Sequence, residues 1–352
     1  MLNAPQTFAT PTQRVLDWYG QAHRKLPWRA PPGQLAEPYR VWLSEIMLQQ
    51  TNVATATPYY FNFLQKWPDV AALARAEPEA IMQAWAGLGY YSRARNLHAC
   101  AQLICAEHGG EFPRREAQLL KLPGIGPYTA AAIAAMAFGA SAVVVDGNIE
   151  RIMTRMFALE APLPKAKPEI RSHMASLTPA RHAGDFAQAL MDIGATLCAV
   201  KSPNCTACPL QADCLAAKAG NAATYPRRAE KVTRPHRQGH VYIAQKLDGS
   251  VLVQTNGPRG LFGGMTCLPH SGWATKDAQG QALPPLPLAW QELKGEVTHV
   301  FTHFSLSLTV HSGQAADMAA PNGMRWVGLA QLEFEALPSL MRKVLAKWRE
   351  SQ

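Results

Sequence analysis

Four cysteines, Cys198, Cys205, Cys208 and Cys214, fall in one short stretch with the pattern C-x6-C-x2-C-x5-C. No other feature restricts the fold as much. Thiols this close in sequence cannot be dispersed through a core and must converge. The opening stretch MLNAPQTFATPTQR lacks the basic-then-apolar pattern of a signal peptide, and no apolar run reaches membrane-spanning length. A reducing, cytoplasmic setting is therefore expected, where a metal centre is favoured over disulfides. Four thiolates suit either tetrahedral zinc or a 4Fe-4S cluster, and the uneven spacing is unlike the paired C-x2-C knuckles of zinc ribbons. Cys100, Cys105 and Cys267 stand among apolar neighbours and read as small buried hydrophobes.

A chain of 352 residues is long enough for two domains. From about Thr12 to Leu215, apolar residues recur at helical spacing, as in Val15–Tyr19, Tyr39–Leu48 and Ala117–Phe138, punctuated by Pro and Gly. Residues 1–223 are read as an all-α domain containing the cysteine loop at 198–214. Residues 224–238, TYPRRAEKVTRPHRQ, are polar, basic and without amphipathic period, and read as a linker. Residues 239–352 read as α+β: HVYIAQK and SVLVQT flank Leu247-Asp248-Gly249 as a hairpin would, and Thr298 to His311 alternates like one strand. Lys and Arg total 34 against 25 Asp and Glu, a formal charge of +9, which favours a polyanionic partner.

Two stretches point further. In LPGIGPYTAAAI, Gly124 and Gly126 allow a tight turn, Pro127 suits a first helical turn, and the free N–H groups of the helix start can meet a phosphate. This is a helix-hairpin-helix pattern and implies DNA binding; its plain alternative is an interhelical turn. In VVVDGNIER, Asp146 stands where a helix begins, and by itself this is an N-cap. Glu45 is the lone carboxylate of VWLSEIMLQQT, and its plain alternative is an ion pair at a helix edge.

VWLSEIMLQQT, GLGYYSRARNL at 87–97, LPGIGPYTA, VDGNIER and the four-cysteine loop occur in that order. Together they resemble the MutY family of adenine DNA glycosylases, from about Leu26 to Cys214, with a weaker match beyond. The resemblance implies a helix-hairpin-helix glycosylase domain with a 4Fe-4S cluster, followed by a Nudix-like domain. It implies a monofunctional enzyme of base excision repair, a monomer on double-stranded DNA carrying adenine opposite 8-oxoguanine or guanine. Such an enzyme is expected in the cytoplasm, at the nucleoid, with no membrane partner.

By the same resemblance, Glu45 protonates adenine N7, which helps a poor leaving group depart. Asp146 stabilises the oxocarbenium-like sugar in a retaining route, oriented by Asn148, and Tyr128 supports both carboxylates. Related bifunctional glycosylases place a Schiff-base Lys at the position of Tyr128, so little strand cleavage is expected here. Arg24, Trp28, Arg29, Leu48 and Gln188 match adenine-pocket residues, since the base must leave the stack to react. Gln50 and Tyr90 match residues that wedge into the duplex, and Thr51 and Leu88 match contacts with 8-oxoguanine.

In the second domain, RGLFGGMTCLP resembles the family's Nudix-fold domain, but the G-x5-E-x7-R-E-x2-E-E pattern that binds Mg²⁺ in Nudix hydrolases is missing from the sequence. Recognition rather than hydrolysis is expected. Phe301, Thr302 and His303 resemble a Phe-Ser-His loop that senses the lesion, with Thr replacing Ser. Two rival readings are an endonuclease III-like glycosylase, opposed by Tyr128 and the second domain, and a non-catalytic iron-sulfur lesion binder, opposed by the intact carboxylate pair.

Overall fold

The computed structural model describes residues 9–229, 234–257, 260–275, 283–301, 303–335 and 337–351. The chain folds into two compact units, Met1–Ala76 with Asn96–Glu230, and Glu77–Arg95 with Lys231–Gln352. The first is helical and the second α+β around one sheet, the architecture expected from the pattern of elements. No helix among the described residues is long and apolar enough to cross a membrane.

The first unit is organised by its most apolar helix, Pro127–Phe138, in which every residue from Thr129 to Ala137 is buried. A helix apolar on all sides must be enclosed by others. The neighbours that enclose it include Pro38–Leu48 and Ala183–Thr196. Its alanines let them approach closely: a Cβ added to Gly184 would lie 2.6 Å from the Ala135 carbonyl oxygen. Such backbone proximity tolerates only glycine there. Beside it, Gly147–Met156 buries Ile149, Ile152 and Met153 against Phe186, Leu190 and Ile193, with Val15 and Tyr19 of Pro11–Ala22 completing that core. Full burial of such side chains contributes roughly 1.5–3 kcal/mol each.

The second unit contains strands β1 (His236–Lys246), β2 (Ser250–Thr255), β3 (Thr266–Cys267), β4 (Ala274–Thr275), β5 (Gln291–Glu292), β6 (Val297–Val300), β7 (Ser305–Ala315) and β8 (Met324–Gly328). β1 and β2 form the predicted antiparallel hairpin, closed at Gly249 with φ +82°. β1 takes in His236, Arg237 and Gln238 from the end of the stretch read as linker. Its other long neighbour is β7, in parallel from His236↔Ser305 to Lys246↔Ala315. β2 extends the sheet to β3 and β8, and β7 extends it to β5 and β6. The helix Ser339–Glu350 covers one face with Leu340, Met341, Val344, Leu345 and Trp348, packed against Val241, Ile243, Leu306 and Leu308.

The single strand expected from Thr298 to His311 is two strands. The Phe301 N–H donates to the Phe304 carbonyl at 2.8 Å, and β6 turns back antiparallel onto β7. Alternation persists on both arms, so periodicity alone does not mark the reversal.

Candidate active site

The Pro38–Leu48 helix begins with Pro at its first position, and Glu37 caps it by accepting from the Tyr39 and Arg40 N–H groups, each at 2.9 Å. Every residue from Val41 to Met47 is buried, so one carboxylate is carried inside with the apolar side chains. Glu45 is 7% exposed. Burial, which penalises the charged form, pushes its pKa up from 4.5 to about 7. A hydrogen bond from the Tyr128 hydroxyl opposes the rise, Asp146 adds to it, and Arg29 opposes it. Tyr128 is the second residue of the Pro127–Phe138 helix, and burial together with the two carboxylates holds its hydroxyl well above the usual phenol range.

Asp146 has different surroundings. It is the N-cap of Gly147–Met156, with extended backbone. Its Oδ1 accepts from the Ile149 N–H at 2.7 Å and its Oδ2 from Asn148 Nδ2 at 2.8 Å. Burial raises its pKa, and these two donors, with Arg151 beyond them, pull it back. The helix cap and the cavity-lining group are the same carboxylate.

Behind Asn148 the bonding continues. Arg151 Nη2 donates to Asn148 Oδ1 at 2.9 Å and to the Gly194 carbonyl at 2.6 Å, and its Nε donates to the Cys198 carbonyl at 2.8 Å. Gly194 has to be glycine: a Cβ there would stand 2.5 Å from Asn148 Cβ. The helix Ala183–Thr196 thus presses directly on the residue that orients Asp146.

Glu45, Asp146, Tyr128 and Asn148 line one cavity of about 750 Å³ with Arg24, Trp28, Arg29, Leu48, Gln50, Thr51 and Gln188. Eleven residues singled out from sequence motifs therefore meet in one place, drawn from segments far apart in the chain. Trp28 is held edge-on by Tyr60 at 5.3 Å. Gln50 has φ +58°, a strained conformation for a residue with a side chain, just past the helix that carries Glu45.

Asp192, which motif reading missed, organises this wall. It is fully buried, and its Oδ2 accepts from Arg29 Nη1 at 2.6 Å and from the Arg24 N–H at 2.9 Å. Arg24 Nη1 stands 3.8 Å from its other oxygen. A charge with no exposure is retained only if paired and hydrogen-bonded. Four residues after Gln188, Asp192 lies on the same helical face, but that spacing alone does not mark its distant arginine partners.

The remaining predicted residues lie outside this cavity. Gly124 has φ +76° and its missing Cβ makes room for Asn96, while Gly126 caps the Pro127–Phe138 helix. Leu88 and Tyr90 belong to the second unit, Leu88 buried and Tyr90 53% exposed. Within that unit Tyr90, Phe301 and His303 line another cavity of about 610 Å³. Phe301 sits 4.7 Å from the Phe304 ring. Thr302 lies outside the described residues.

Cys198, Cys205, Cys208 and Cys214 are unpaired thiols lining one small cavity. Arg155, 1% exposed, donates to the Cys198 sulfur at 3.1 Å and to the Ala199 and Val200 carbonyls at 2.8 and 2.9 Å. Among the described residues no three His, Cys, Asp or Glu side chains are close enough to bind one ion. The four thiols line that cavity beside a buried cation, a donor set that suits tetrahedral zinc or an iron-sulfur cluster.

Comparison with known proteins follows the same lines. The family model of the HhH-GPD superfamily base excision DNA repair proteins matches residues 43–179, and a NUDIX domain model matches residues 240–347. An adenine DNA glycosylase of Homo sapiens is 32% identical over 402 aligned residues, covering 96% of this chain and 74% of that protein. One from Buchnera aphidicola subsp. Acyrthosiphon pisum (strain APS) is 30% identical over 349, covering 97% of this chain and 98% of that one. The chain belongs to the adenine DNA glycosylase family. As a DNA glycosylase it is a hydrolase of N-glycosyl bonds, with the helical domain and the Nudix-like domain of that family. A thermostable thymine-DNA glycosylase superposes on this glycosylase with TM-score 0.54 at 28% identity, covering 59% of this chain and 95% of its own.

Proposed function

We propose that this glycosylase removes adenine mispaired with 8-oxoguanine or guanine in double-stranded DNA, as a monofunctional enzyme. The observation that carries the reading is the carboxylate pair in one cavity, Glu45 held at about 7 and Asp146 held by an N–H donor and an amide. One is suited to give a proton at neutral pH, the other to stay ionised.

The flipped adenine enters the 750 Å³ cavity between Trp28 and Leu48. Arg24, Arg29 and Gln188 read its polar edge, with Asp192 fixing the two arginines. Glu45 delivers its proton to N7, so that the departing base leaves without building up full negative charge. As the C1′–N9 bond breaks, Asp146 lies beneath the sugar and stabilises the cationic carbon or bonds to it transiently. Glu45, now ionised, takes a proton from water, and water replaces the base with retention. Asn148 holds Asp146 throughout, and Tyr128 bridges to Glu45. Tyr128 is a phenol and forms no Schiff base, so the strand is left uncut.

Cys198, Cys205, Cys208 and Cys214 would hold a 4Fe-4S cluster, with Arg155 balancing its charge. Bound there, the cluster supplies a rigid tie that sets the loop and basic groups such as Lys201 toward phosphate. Gly124 and Gly126 offer backbone N–H groups to the same polyanion. Gln50 and Tyr90 enter the duplex, and Thr51, Leu88 and the 301–303 loop read 8-oxoguanine. The domains on this reading are 1–223, 224–238 and 239–352, the last recognising rather than hydrolysing. The protein acts as a monomer at the nucleoid.

The test is single-turnover adenine release from duplexes carrying adenine opposite 8-oxoguanine, adenine opposite guanine, and 8-oxoguanine opposite cytosine. Fast, slower and no release, in that order, is expected. Absence of release from the first duplex, with the duplex still bound, overturns the reading in favour of a lesion-binding protein.

A further inference from the structure

The turn at 87–91 takes positive φ at three of its positions, two of them glycines that adopt it freely. Gly87 has φ +106°, Gly89 φ +70° and Tyr90 φ +48°. For Tyr90, which has a side chain, this conformation costs on the order of 1 kcal/mol or more and persists only where the surroundings impose it. The result is a turn with Leu88 tucked away at 6% exposure and the Tyr90 ring standing out at 53%.

Arg93 imposes it. Arg93 is 8% exposed, its guanidinium packed against the Trp85 ring at 5.1 Å and the Tyr90 ring at 5.6 Å. From there Nη2 donates to the Leu88 and Gly89 carbonyls, each at 3.1 Å, while the Arg93 N–H donates to the Tyr90 carbonyl at 2.8 Å. Trp85 Nε1 adds a second donor to the Gly89 carbonyl at 3.1 Å, and the Gly87 N–H donates to the Tyr91 hydroxyl at 3.2 Å. A planar cation that stacks on rings and donates to successive carbonyls ties side chains and backbone together in a way an ammonium cannot. A space-filling role would be met by Leu or Met without the desolvation that burying a guanidinium entails.

We propose that Arg93 is the positioning residue for Tyr90: it fixes the strained turn so that the phenol ring is already aimed at the duplex when DNA arrives. This rests on the reading of Tyr90 as a residue that enters the helix. Arg93 touches no substrate and acts through the ring it stacks on and the carbonyls it holds.

A double-mutant cycle tests it, with single-turnover adenine release from the 8-oxoguanine duplex as the readout. Arg93→Lys keeps the charge and loses the fork. It is expected to slow release about tenfold with Tyr90 present and less than about twofold in the Tyr90→Ala background, because coupled residues are non-additive. A merely structural Arg93 gives equal losses in both backgrounds, and that result overturns the proposal. A Tyr90→Ala variant that releases adenine at the unaltered rate removes the premise and the proposal with it, while wild-type release keeps the function itself standing. If Arg93→Lys cannot be purified folded, the cycle is run with Arg93→Gln, which retains a single amide donor, and is judged by the same two outcomes.

Discussion

Glu45 and Asp146 carry the same functional group into the same cavity from opposite kinds of helical position. Glu45 is inside a helix whose own N–H groups are all used, so its carboxylate receives one side-chain donor, Tyr128, and burial dominates. Asp146 sits just before a helix, where backbone N–H groups are free, and Ile149 and Asn148 solvate its charge at 2.7 and 2.8 Å. In the proposed mechanism, this difference in helical position helps to separate the acid from the anion. Both groups are pushed upward by burial, and the difference lies in how much of that push is returned.

Removing either carboxylate's charge state should have the largest effect. Glu45→Gln and Asp146→Asn are each expected to slow single-turnover adenine release by about a thousandfold or more, with duplex affinity nearly unchanged. Asp146→Asn is the sharper case, because Asn caps a helix about as well as Asp. Its melting temperature should stay near that of the parent while release is lost, and a large drop in melting temperature would show that the two roles of Asp146 are not separable.

Stability gives the next largest effect, and here the two carboxylates part. Between pH 4.5 and about 7 the folded chain keeps a proton on Glu45 that the unfolded chain has lost. Stability from this group therefore falls as pH rises through that window, and above it the whole penalty is present. Glu45→Gln removes the penalty and is expected to add up to roughly 3 kcal/mol above neutral pH and little below the ordinary carboxylate range. Denaturant titrations of parent and variant at both ends of the window check this; a gain independent of pH would mean that Glu45 is not the group involved.

The pH profile of release follows from the same sign. With protonated Glu45 as the proposed acid, the rate should fall above pH 7, roughly a hundredfold over two further units. On the acid side it should fall as Asp146 protonates, above the usual carboxylate range because its pKa is raised. A profile flat on the alkaline side would remove Glu45 as the acid.

Gly194→Ala should act on one side of the comparison only. In an ordinary helix it would gain about 1 kcal/mol. Here its Cβ meets Asn148 at 2.5 Å, and a loss of about tenfold in release is expected. The alkaline limb set by Glu45 should stay in place while the acid limb, which depends on how Asn148 holds Asp146, moves.

Much of this site was legible in order along the chain. Glu45, Tyr128, Asp146 and Asn148 each stand in a short motif whose local geometry, a helix interior, a first turn or a cap, is decided by nearby residues. Asp192 was not legible, because its meaning comes from Arg24 and Arg29, more than a hundred residues away, and no local pattern announces a buried ion pair. Gly194 was invisible for a related reason: a helical glycine marks close approach only once the neighbour is known. The reversal between β6 and β7 escaped because alternating residues satisfy one strand or two equally well, and a backbone bond between Phe301 and Phe304 decides the matter.

The burial of Glu45 also bears on how variants of this protein would be chosen. A selection that rewards only survival after heating favours loss of that carboxylate, since the proposed proton donor is also one the fold would hold together better without. Heat tolerance and repair pull in opposite directions at this one position, so a library screened for robustness needs a counter-screen for released base if Glu45 is to survive it.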